Sequence, residues 1–145
     1  MSHHLWMCPR CGHRFVTRNM WHSCSNYTLD DHFENVQPEV RATFDRFLEA
    51  VNACGPVTVI PQKTRIAIQA EVRFAGCVVR KQWLLVHLWL TRRTEHRLLQ
   101  RVEAYGPRSF GHRFRLDEAD DVDEALCILV REAYRVGLRE HLRGP

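Results

Sequence analysis

The stretch TRIAIQAEVRFAGCVVRKQWLLVHLWL (64–90) decides the fold. In its first eleven residues, Ile66, Ile68, Ala70, Val72 and Phe74 alternate with Arg65, Ala67, Gln69, Glu71 and Arg73. Successive side chains of an extended chain leave opposite faces, so this alternation predicts a half-buried strand over 64–74. Ala75-Gly76 then reads as a turn, and VVRKQWLLVHLWL (78–90) as a second strand. Its even positions from Leu84 to Leu90 are aliphatic and turn to the core, while Lys81, Trp83, His87 and Trp89 occupy the odd positions. GHRFRL (111–116) reads as a third strand, and VTVI (57–60) as a short first one that Pro61 ends or bends.

Helices are expected before and after these strands in the sequence. In PEVRATFDRFLEAVNACG (38–55), Val40, Phe44, Phe47 and Val51 recur at spacings of four, three and four, one apolar stripe of a helix over 38–53. Pro38 suits its first turn and Gly55 the position past its end. The closing DDVDEALCILVREAYRVGLREHLR (120–143) has an acidic first turn and a basic last turn, as the helix dipole favours, and predicts a helix over about 121–140. The fold class is therefore α+β: an antiparallel sheet of three to four strands with two helices packed on one face, preceded by a small zinc-binding hairpin. The two helices are expected to pack together on the sheet face lined by Ile66, Ile68, Val72, Leu84, Val86 and Leu88. The chain divides into a cysteine segment (1–26), a polar connector (27–37) and the α+β domain (38–145). At 145 residues it has room for one core domain with a small appendage.

The hairpin is inferred from CPRCGHRFVTRNMWHSC (8–24). Two thiolates two residues apart grip one ion from a tight turn, and Gly12 permits the backbone angle after the second ligand. HRFV and the residues before Trp21 are expected to pair around TRN, which would bring His22 and Cys24 toward the knuckle. Cys8, Cys11, His22 and Cys24 then form a closed Cys3His shell, the donor set of a structural zinc. His13 is an alternative ligand. A redox Cys-x-x-Cys is the competing reading, but that motif usually opens a helix of a thioredoxin-like unit, which this segment lacks. Cys54, Cys77 and Cys127 stand among apolar neighbours and read as small buried hydrophobes.

No apolar run approaches the roughly 18 residues of a membrane span, and the first residues show no apolar secretory core. A cytoplasmic protein with reduced thiols is expected. Charge is unevenly placed. Residues 57–115 hold twelve Lys or Arg against three acids, whereas residues 116–145 hold eight acids against four arginines. A local excess of nine positive charges points to an anionic partner, although a solvated face lying beside an acidic helix has the same composition.

If the strands pair as antiparallel neighbours, Lys63, Arg65, Arg73, Lys81, Trp83, His87 and Arg113 project away from the aliphatic core. Guanidinium and ammonium groups neutralise phosphates while an indole stacks a planar ring. The expected function is a non-catalytic, zinc-containing module that binds nucleic acid or a phosphorylated small molecule through this basic, Trp-bearing face. Two alternatives stand beside it. One is a small-molecule enzyme or sensor with a pocket near Lys63, Trp83 and His87; the other is a protein-interaction adaptor. Against catalysis, the sequence carries no glycine-rich phosphate loop, no G-x-S-x-G elbow and no His-Glu-x-x-His pattern. His112 alternates with Phe110, Phe114 and Leu116 and reads as a core-side histidine with its hydrogen bonds satisfied.

CPRCGHRF and N-x-x-HSC, followed by PQKTRIAI, VRFAG, LWLTRR, HRFRL and EAYRVG, resemble a bacterial domain-of-unknown-function family, number 5655. The likeness covers residues 38–139, with the cysteine segment similar to an N-terminal extension. The resemblance implies an α+β domain and a motif lysine, Lys63, near the sheet edge. It implies no activity.

Overall fold

The computed structural model describes residues 27–140, together with the backbone of Trp6–Met7 and Arg14–Phe15. The last two are short strands, β1 (Trp6–Met7) and β2 (Arg14–Phe15), paired antiparallel with Trp6 opposite Phe15. The expected partners of HRFV, the residues before Trp21, lie outside the described residues. The set Cys8, Cys11, His22 and Cys24 lies outside the described residues.

After a single-turn helix α1 (Leu29–His32), helix α2 (Pro38–Asn52) leads into a six-stranded antiparallel sheet. Its strands are β3 (Thr58–Pro61), β4 (Ile66–Gln69), β5 (Arg73–Val79), β6 (Leu84–Leu90), β7 (Leu99–Gly106) and β8 (Ser109–Leu116). They lie in the order β3-β4-β5-β6-β8-β7, and helix α3 (Glu124–Gly137) follows.

Six strands replace the expected three to four, and the physical reasons are specific. The stretch 64–74 is not one strand. Gly137 at the end of α3 accepts, through its carbonyl, the N–H groups of both Glu71 and Val72 at 2.9 and 3.0 Å. Arg139 adds an ion pair to Glu71 at 3.1 Å. This docking bends the chain at residues 70–72, so Ala75 and Gly76 fall inside β5 rather than in a turn. The stretch 78–90 is likewise two strands, closed by a tight hairpin in which Arg80 N–H donates to the carbonyl of Trp83 at 3.0 Å. At thirteen residues it exceeded the usual strand length of about 3–10, which was the available warning. Strand β7 was missed because two bulges, at Leu99/Arg101 and Ala104/Gly106, break its alternation.

The helices occupy one face, as anticipated. Val40, Phe44, Phe47 and Val51 of α2 and Leu126, Leu129, Val130 and Ala133 of α3 are buried in one cluster with Ile66, Ile68, Leu84, Val86, Leu88 and Phe114. Val72 is only half-buried, and Phe74 takes the core position instead. A Cβ on Gly137 would stand 2.5 Å from the Phe74 ring, so α3 seats on that ring only through a residue without a side chain. The connector contributes as well: Phe33 packs on Phe44 with ring centroids 5.3 Å apart.

His112 is fully buried on this face, between the sheet and the loop after β6. Its Nε2 accepts from the Thr94 N–H at 3.1 Å, so the proton sits on Nδ1, which donates to the Phe110 carbonyl at 3.1 Å. Burial holds its pKa below the ordinary histidine value, and the ring is a neutral structural member. Of the remaining cysteines, Cys77 is buried, while Cys54 and Cys127 are partly accessible; all three are free thiols. Among the described residues no helix is long and apolar enough to cross a membrane.

Candidate functional site

The face away from the helices is organised by strand register. Ile60, Ala67, Gly76, His87, Arg113 and Arg101 are successive partners across β3, β4, β5, β6, β8 and β7, so they form one row on this side. Its β3–β4 end is apolar, with Ile60 and Ala67 buried. Its β6–β7 end is basic. The next row places Trp89 opposite Gly111, and Gly111 opposite Glu103.

Small residues in the middle of the first row leave a depression. Ala67 and Gly76 contribute to its floor, while Arg65, Arg73, His87, Trp89 and Tyr105 surround a hollow of about 210 Å³. A second, smaller hollow of about 60 Å³ adjoins it and is lined by His87, Trp89, Tyr105, Arg101, Glu103 and Arg113. Tyr105 lies across Gly111: a Cβ there would come within 2.8 Å of the Tyr105 ring and 3.7 Å of the Trp89 indole nitrogen. The glycine is what lets the tyrosine ring come this close beside the tryptophan.

The electrostatics are lopsided. Four arginines line the two hollows against one carboxylate, Glu103. Glu103 is engaged on both oxygens, by Arg101 Nη2 at 2.6 Å and by the Tyr105 hydroxyl, which donates at 2.6 Å. The Tyr105 hydrogen bond, and then the Arg101 charge, hold its carboxyl below the usual range. Burial and then the Arg65 charge lower the pKa of Arg73. Burial, followed by the charges of Arg113 and Arg65, pushes His87 below the ordinary histidine value, so its ring is neutral at neutral pH. Neither Arg65 nor Arg113 forms an ion pair with a described acid, and the Nε of Arg113 is buried without a hydrogen-bond partner.

Of the residues singled out in the sequence, Arg65, Arg73, His87 and Arg113 meet at these hollows. The others do not. Lys63 is exposed in the β3–β4 connection, and Lys81 is exposed in the β5–β6 turn. Trp83 is half-buried at the far end of β6, with the Arg115 guanidinium 4.2 Å from its ring centroid. Of Lys63, Trp83 and His87, only His87 lines either of these two hollows. Tyr105 and Glu103 were missed with their strand, and Trp89, although placed on the correct face, was not selected. The arginine-glutamate alternation of QRVEAY (100–105) is the signal that could have found them. Among the described residues, no group of three or more His, Cys, Asp or Glu side chains is placed to hold a metal ion.

One family model matches, Domain of unknown function (DUF5655), over residues 29–137. No curated protein and no solved structure matches the chain.

Proposed function

The chain belongs to the DUF5655 family, and because that description assigns no activity, we propose a function from the geometry: non-catalytic binding of a phosphate-bearing ligand in the hollows over β4–β8. The observation that carries this reading is the convergence of Arg65, Arg73, Arg101 and Arg113 around a neutral histidine, with a single carboxylate in reply. Like charges gathered at one place on a folded surface repel one another, and an anion relieves that repulsion. Guanidinium forks match phosphate oxygens in geometry as well as charge. The reading is of binding rather than turnover, since the one carboxylate present is held by Arg101 and Tyr105.

The test is a titration of the full chain with inorganic phosphate, in wild type and in two variants. Arg65→Ala removes an exposed hollow cation and should weaken phosphate binding roughly tenfold, the scale of one charge-assisted hydrogen bond. Lys81→Ala removes an equal charge in the distant β5–β6 turn and should change affinity less than twofold. Equal losses from both variants, or no binding by wild type at low salt, would refute the site.

A structural zinc held by Cys8, Cys11, His22 and Cys24 is part of the same proposal. What supports it is the donor set, together with the antiparallel pairing of β1 and β2. In sequence, Cys8, Cys11 and Gly12 fall in the connection between those two strands. When bound, the ion would cross-link a segment too short to build a core of its own.

A further inference from the structure

We infer that the two adjoining hollows form one bipartite site for a phosphorylated small molecule with a single flat, donor-bearing ring, the chemistry of a nucleoside monophosphate. The inference rests on the anion-binding reading above and adds the ring and its polar edge.

The hollows share one wall, made by His87, Trp89 and Tyr105, and the two sides of that wall ask for different chemistry. On the larger side the charged groups are Arg65 and Arg73, cations only. That side takes the phosphate. On the smaller side Glu103 stands beside Arg101 and Arg113, an ionised acceptor next to cationic donors. A second phosphate would meet the Glu103 charge there, whereas a neutral group with a donor and an acceptor side by side satisfies both. The edge of a nucleobase and the paired hydroxyls of a sugar have that pattern.

Two atoms make the smaller side specific. Arg113 Nε is buried with no hydrogen-bond partner among the described residues, an unsatisfied donor in the lining of this hollow. Glu103 uses one lone pair on each oxygen for Arg101 and Tyr105, and each oxygen keeps another for a ligand N–H or O–H.

The shared wall supplies the place for the ring. Tyr105 is 62% exposed, with its ring edge against Gly111 and the Trp89 indole nitrogen at the same point. An aromatic surface kept open to solvent beside arginines is a stacking platform. Size completes the argument. At about 210 and 60 Å³, even taken together the hollows fall below the roughly 300–1,000 Å³ of sites for drug-sized ligands. A phosphate in the larger hollow and the polar edge of one ring in the smaller occupy that space, with the rest of a mononucleotide lying over the exposed Tyr105.

The experiment titrates the full chain with inorganic phosphate, with the four common nucleoside 5′-monophosphates, and with the matching nucleosides. At least one monophosphate should bind roughly tenfold or more tightly than inorganic phosphate, the gain expected from a single stacked base. Glu103→Gln should erase much of that advantage while leaving the affinity for inorganic phosphate unchanged or higher. Gly111→Ala, which pushes the exposed Tyr105 ring aside without entering the core, should also erase it. Monophosphates that bind no better than phosphate would overturn the bipartite site and leave the anion reading standing. Failure of phosphate and monophosphates alike would overturn both.

Discussion

His87 shows how a single position acquires its behaviour from the strands on either side. Its register partners are Gly76, which gives it room, and Arg113, which gives it a positive neighbour. Burial first, then Arg113 and Arg65, keep its pKa below the ordinary 6.5, with Glu103 opposing weakly. An anion in the hollow reverses the balance, because a negative charge beside the ring favours the imidazolium. The bound state then has the higher pKa and takes up a proton on binding. Affinity therefore rises as pH falls through the His87 pKa of the complex, and levels off below the lower pKa of the free protein. The rise should be about tenfold for each pKa unit by which the ligand lifts His87. Phosphate itself titrates in this range, so the measurement is the difference between wild type and His87→Gln from pH 5 to pH 8. A variant that retains the full pH dependence would assign the effect to the ligand. His112 is the contrast. With Nε2 accepting from Thr94 and Nδ1 donating to Phe110, it has no free nitrogen to offer, as its alternation with Phe114 and Leu116 in the sequence foretold.

At the scale of elements, the helices were legible and the strands only partly so, and the difference is physical. The stripe of α2 repeats at helical spacing without interruption, and its Pro38 start is local in origin. In α3, Asp123 caps the first turn by accepting from Leu126 N–H at 2.8 Å. Strand limits instead depend on partners remote in sequence. The break after β4 is made by the carbonyl of Gly137, some 65 residues downstream, and no periodicity near residue 70 records it. Strand β7 carries bulges that twist its alternation out of phase, so the edge that supplies Tyr105 and Glu103 went unseen. The same locality governs the N-terminal segment. If Cys8, Cys11, His22 and Cys24 bind one zinc, elemental analysis of the reduced protein should find close to one equivalent, and less than about half would refute the site. Cys24→Ser should release the ion. It should leave the unfolding transition of the α+β domain in place, because α2, α3 and the sheet share one continuous apolar cluster of their own.

Across the whole molecule, the excess of nine positive charges in residues 57–115 is not one continuous surface. The acidic C-terminal part folds back over some of it. Glu132 takes Arg92 at 2.8 Å, Asp123 and Asp121 take Arg97 at 3.2 and 3.5 Å, and Asp117 takes Arg115 at 2.9 Å. Arg93 lies over the Phe110 ring at the end of β8, and Arg115 also covers Trp83. The two sheet-face tryptophans are thus separated in function, with Trp83 roofed by a guanidinium and Trp89 bordering the hollows. What remains concentrated is the group Arg65, Arg73 and Arg113 about His87, with Arg101 shared by Glu103. A track for an extended strand needs cations in line with stacking rings, and here they converge on one point instead. This distinction has a measurable slope. For single-stranded nucleic acid, log affinity falls with log salt by about 0.7 for each phosphate neutralised. The three cations gathered about His87 set a slope no steeper than about −2, whereas a face using the whole excess of nine would give about −6. Any oligonucleotide binding should show the shallow value and should be displaced by a nucleoside monophosphate in excess. A steep slope, with binding that the mononucleotide cannot displace, would mean that the polymer follows a path over the surface outside the hollows.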